Sequence, residues 1–155
     1  MFRPLTILRF VAIGTLVLWI GGFTFYAGIV IPILHEFMAE SEAGEITRRV
    51  TDVLNVVGVV SVLVWSGLLV QERNSRPAWI RSLRLFAFAG TVLLLIGQGI
   101  VHRILDARLD AGTMRGFYPI HRVYVGGSTL QWGLNLGVLY LSLVLWTTRE
   151  PENAP

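Results

Sequence analysis

Apolar residues fall in four long runs separated by short charged stretches. Bounded by the nearest charged residue or histidine, the runs are 10–34, 53–71, 85–101 and 123–148. A helix rises about 1.5 Å per residue and a bilayer core is about 30 Å thick, so roughly 20 residues span it. A segment in lipid must satisfy its own backbone, which makes each run a helix. The third run is short. It reaches across if Arg84 snorkels at one end and the helix continues through His102 at the other. The pattern predicts an all-α protein: a membrane four-helix bundle, antiparallel and up-down-up-down, as a single domain over 1–148. Its helices cover about 5–34, 52–71, 79–110 and 120–148, with 149–155 as a disordered tail. The first run is too long for a signal-peptide core and no small-residue cleavage site closes it, so it is read as a retained helix.

Composition sharpens this picture. Of 155 residues, 54% are hydrophobic and only 15% charged, against about 25% charged in soluble domains. That excludes a disordered chain and an ordinary soluble enzyme. The net charge of +3 comes from thirteen basic residues, all Arg. They lie between apolar runs rather than along one face, so they mark membrane edges and not nucleic-acid binding. The partner is a lipid bilayer, that of the bacterial inner membrane. The 72–84 connection carries Arg73, Arg76, Arg81 and Arg84 against one acid, Glu72, which places both termini on the cytoplasmic side. There is no Cys, hence no disulfide or thiolate chemistry.

Glycines recur at seven-residue spacing: Gly14, Gly21 and Gly28 in the first run, Gly90 and Gly97 in the third, Gly126 and Gly133 in the fourth. Gly133 and Gly137 add a GxxxG. Such stripes suit close helix–helix approach in lipid, predicting contact among the first, third and fourth helices, or a homo-oligomer or larger membrane complex. The polar residues within the runs are Asn55, Gln98, Gln131 and Asn135, with Ser61, Ser66, Ser128 and Thr129. An amide facing lipid is costly, so these point inward. They serve as interhelical hydrogen bonds or as the lining of a polar pocket. No charged residue lies deep in a run, which argues against an ion pump with a midplane site.

The three histidines fall at one predicted membrane face. His35 ends the first helix, His102 ends the third and His121 opens the fourth. Asp106 follows His102 by four residues, on the same helical face. Three imidazoles and a carboxylate suit zinc or copper, and two imidazoles suit a haem. The competing reading is that these residues meet headgroups and cap helix ends. Other templates fail: His35-Glu36 has no second His for HExxH, no phosphate-binding glycine loop is present, and no Ser sits in a nucleophile elbow. The acidic 36–52 stretch reads as a surface amphipathic segment broken at Gly44. The 103–122 stretch reads as a continued helix to about Asp110 with a turn at Gly112.

Several short stretches together carry a likeness. Gly21-Gly22-Phe23-Thr24-Phe25-Tyr26-Ala27-Gly28-Ile29-Val30-Ile31-Pro32 closes the first run, and Ala43-Gly44-Glu45-Ile46 follows. His102-Arg103-Ile104-Leu105-Asp106 and Phe117-Tyr118-Pro119-Ile120-His121-Arg122 come later. In this order they resemble the TMEM205-like family, small four-helix membrane proteins of unknown function, over about residues 10–145. The resemblance implies a multi-pass membrane protein and highlights Gly21, Pro32, Gly44 and His121, none with a catalytic role to transfer. His35-Glu36 departs from the family, where an apolar aromatic more usually follows the proline. Two functions remain open. One is a non-enzymatic bundle that binds or passes a small molecule or serves as a complex subunit. The other is a haem- or metal-binding redox protein using His35, His102, His121 and Asp106.

Overall fold

The computed structural model describes residues 4–74, 77–111 and 117–148, without the side chains of Glu40, Ser41 and Phe117. The turn expected at Gly112 and the tail at 149–155 lie outside these residues. Every regular element among the described residues is helical. The chain divides into two compact units, Met1–Glu72 and Arg73–Pro155. Four helices are long and apolar enough to cross a membrane: Pro4–Phe37, Glu42–Gln71, Ala78–Asp110 and Tyr118–Thr147.

The first unit contains α1 (Pro4–Phe25), a π-helical turn (Tyr26–Val30), α2 (Ile31–Phe37) and α3 (Glu40–Gln71). The first run stays helical past residue 25 but changes pitch there, and Pro32 supplies the reason. It has no N–H, and its ring crowds the carbonyl four residues earlier. The π turn widens the helix just before it, with the Ile31 N–H reaching back five residues to the Tyr26 carbonyl. Met38 and Ala39 are extended, and the chain reverses there. The 36–52 stretch is therefore not a separate surface segment. From Glu40 it is the first part of α3, and Gly44 lies within that helix without breaking it.

Facing pairs show that α1 and α3 run antiparallel. Gly22 lies against Leu54, Trp19 against Gly58, the Trp65 indole N–H donates to the Ala12 carbonyl at 2.7 Å, and Arg9 pairs with Glu72. The buried positions of α1 are Ala12, Leu16 and Trp19, with Tyr26 beyond. Those of α3 include Gly58, Ser61, Trp65 and Leu68, with Glu72 just past its end. Spacings of three and four residues are those of a left-handed helix pair.

The second unit is an antiparallel pair, α4 (Ala78–Asp110) and α5 (Phe117–Thr147). Gly90 faces Leu134, Thr91 faces Asn135, Gln98 faces Gly127, and His102 faces Tyr124. On α4 the buried residues are Ile80, Arg84, Ala87, Thr91, Gln98 and Leu105. On α5 Ser128, Gln131, Asn135, Val138, Ser142 and Leu145 repeat at three and four without a break. Arg84 does not snorkel. It is 0% exposed, because its place in the seven-residue series 84, 91, 98, 105 puts it on the buried face.

The glycine stripes need correcting within each unit. A Cβ added at Gly14, Gly21, Gly28, Gly97, Gly126, Gly133 or Gly137 would meet nothing within 4 Å. Close approach occurs at Gly90, which belongs to the expected stripes, and at Gly22 and Gly58, which do not. There a Cβ would lie 2.9 Å from Leu134, 3.0 Å from Leu54 and 2.6 Å from the Trp19 ring, respectively. Large side chains of the facing helix fill these gaps, so the glycines act singly as sockets rather than as a continuous seam.

Polarity is distributed inside out. Phe10, Leu63, Phe86 and Leu93 point outward, Phe86 at 80% exposure, while Ser61, Thr91, Gln98, Gln131, Asn135 and Ser142 are buried. Water would not tolerate this arrangement, whereas lipid favours it, since an outward apolar side chain loses nothing and an outward amide does.

Candidate functional site: the polar seam of α4 and α5

Most hydroxyl groups within the spans are satisfied differently from the amides, although the buried Ser61 hydroxyl has no hydrogen-bond partner. The hydroxyls of Ser66, Ser128, Thr129 and Ser142 each donate to the carbonyl four residues back, at 2.7–3.0 Å. A serine or threonine can thus be satisfied by its own helix. An amide has more donors and acceptors than its own turn can serve, so it must find a partner elsewhere.

Three of the four amides singled out in the sequence are buried in the second unit, and two of them are joined through Thr91. Gln131 Nε2 donates to the Thr91 carbonyl at 3.2 Å, and Thr91 Oγ1 donates to Asn135 Oδ1 at 3.1 Å. The Gln131–Asn135 spacing of four residues brings both to α4. Gln98 lies two turns further along α4. It is 6% exposed, and its Nε2 has no hydrogen-bond partner. Across the seam lies Gly127: a Cβ there would sit 3.6 Å from that nitrogen. Asn55 belongs to α3 in the first unit and is half-buried.

One further turn along α4 the seam becomes charged. His102 Nε2 lies 3.5 Å from Asp106 Oδ2. The imidazole leans on Tyr124 of α5, with ring centroids 6.1 Å apart. The i, i+4 spacing anticipated this pair. Among the described residues no group of three or more His, Asp or Glu side chains is placed as a metal ion requires. His35 and His121 are exposed, at helix ends where their side chains extend outward.

Thr91, Ser142 and Gly127 join the seam without having been singled out in the sequence. Their signal is the seven-residue register: 84, 91, 98 and 105 on α4, and 128, 135 and 142 on α5. Seven-residue spacing on the contact face is carried mainly by polar residues, and of the spaced glycines Gly90 meets the facing helix.

No protein-family profile, curated protein or solved structure matches the chain.

Proposed function

We propose that this is a non-enzymatic multi-pass membrane protein that binds or passes a small neutral molecule at the α4–α5 seam. In this reading its four spans thread the bacterial inner membrane alternately, with both termini in the cytoplasm as the Arg bias of the 72–84 connection suggests, and the resemblance to the TMEM205-like proteins agrees with a multi-pass membrane protein. One observation carries this reading: the Gln98 amide is buried without a partner, beside a glycine, in a seam whose other amides are satisfied. An unmade hydrogen bond in an apolar setting costs about 1–3 kcal/mol. Such a cost is retained where a ligand meets the group. The seam interior from Thr91 to Gln98 holds no charged side chain, which suits an uncharged occupant.

The test is thermal unfolding of the detergent-solubilised chain against a panel of neutral lipophilic compounds. At least one should raise the midpoint of the wild type and leave Gln98→Leu unmoved. If every compound acts equally on both proteins, the seam is only packing.

A second reading has its own observation. The open glycines Gly126, Gly133 and Gly137 on α5 leave backbone accessible to a neighbouring helix, which supports a complex subunit or homo-oligomer.

A further inference from the structure

We propose that the opening of α4 binds one anionic phospholipid, with Arg73 and Arg81 on its headgroup phosphate and an acyl chain along the outward apolar track that continues from Arg81. The site lies within the second unit and is independent of the seam.

The first observation is a local excess of positive charge. Between Asp52 and Asp106 the sequence holds one carboxylate, Glu72. Its side chain is buried and paired with Arg9 inside the first unit. The next acid along α4, Asp106, is about 38 Å from Arg81 by helical rise. Helix α5 contains no acid. Arg73 is exposed and Arg81 half-exposed, so among the described residues of this unit two accessible cations stand at the membrane edge far from any carboxylate.

The second observation is their arrangement. Arg81 Nη1 donates to the Arg73 carbonyl at 2.6 Å. That bond holds the Arg81 guanidinium against the Arg73 main chain, which sets both arginines within reach of one anion and lowers the ordering cost of binding. A guanidinium is a planar fork of several N–H donors, and one carbonyl uses only one of them. Phosphate oxygens suit the remaining donors better than they would suit a lysine.

The third observation is what adjoins the cations. From Arg81, residues 85, 88, 92 and 96 follow at spacings of three and four, one face of the helix. Leu85 and Ile96 are exposed, and Phe88 and Val92 half-buried. A charged end that runs straight into an apolar track selects an amphiphile over a free phosphate. Trp79, on the same first turn, is exposed, as suits an indole at the headgroup level. A zwitterionic headgroup fits less well, because its ammonium would enter the same cationic spot.

The whole chain in detergent would be titrated with phosphatidylglycerol or with phosphatidylcholine of the same acyl chains, and bound lipid counted by native mass spectrometry. The first phosphatidylglycerol should bind more tightly than the first phosphatidylcholine. Arg73→Gln and Arg81→Gln should each lower its affinity about fivefold. Arg73→Gln keeps the carbonyl that Arg81 holds, so it removes charge without disturbing the helix opening. Arg122→Gln takes the same charge from an exposed position near the start of α5 and should leave the affinity unchanged. Equal binding of the two lipids overturns the site, as does unchanged affinity in both Arg73→Gln and Arg81→Gln. An equal loss in Arg122→Gln overturns it too, since the attraction would then be general. Glycerol phosphate, the headgroup without its chains, should not displace the lipid. Displacement would overturn the phospholipid assignment in favour of a soluble phosphate ester.

Discussion

At the scale of single residues, two kinds of glycine can be told apart by what stands opposite. Gly58 receives the Trp19 ring, and a methyl group there would lie 2.6 Å from it. Gly58→Ala should therefore cost about 1–3 kcal/mol, the usual penalty for overpacking. Gly14→Ala, with nothing within 4 Å, should be neutral or gain about 0.5–1 kcal/mol from helix propensity. Thermal unfolding in one detergent compares the two, and equal midpoints would contradict the packing described. Gln98 makes the opposite kind of prediction. Gln98→Met removes an amide that has no partner while keeping its length, so the ligand-free protein should gain about 1–3 kcal/mol. A lower midpoint would mean that the amide is satisfied after all.

At the scale of elements, each unit is an antiparallel helix pair clasped by specific contacts. In the first, Arg9 Nε donates to Glu72 Oε1 at 2.7 Å, joining the beginning of α1 to the end of α3. The Glu72 carboxylate is buried while Arg9 keeps an exposed edge. Removing the cation alone takes a partner from a buried acid, whereas removing both takes the acid away as well. Arg9→Met should cost up to about 3 kcal/mol, and Arg9→Met combined with Glu72→Leu should cost less than the sum of the single changes. A double-mutant cycle by chemical denaturation measures the difference, and strict additivity would deny the clasp. Much of this level was legible in the sequence. The four runs gave four spans because hydropathy reports directly on lipid contact, and Gln131 with Asn135 gave the seam because amides have nowhere else to go. The pitch change at Tyr26–Val30 was hidden, since Pro32 says that a helix must adjust without saying how. Glycine spacing alone did not tell which positions meet a partner: Gly90 meets Leu134, whereas a Cβ at Gly97 would meet nothing within 4 Å. Glu72 and Arg84 looked like edge charges, and only the register of neighbouring buried residues reveals that they turn inward.

At the scale of the whole molecule, four candidate spans and an outward apolar surface suit a bilayer. An even number of crossings returns the chain to its starting side. Alkaline phosphatase fused after Thr148 should be inactive and green fluorescent protein at the same site bright, as expected for a cytoplasmic C-terminus under the Arg bias. The reverse result would invert the orientation proposed here. Of the histidine constellation read from the sequence, the approach described within one unit is that of His102 to Asp106.

The mutual satisfaction of Gln131, Thr91 and Asn135 bears on biogenesis. A lone α4 or α5 leaving the translocon would present its amides to acyl chains, and each would oppose partitioning. The two helices are therefore expected to leave laterally as a preformed hairpin. Chains truncated after Ala111 should integrate their last helix less efficiently than chains extending through Thr148, a contrast visible by protease protection of nascent chains in membrane vesicles.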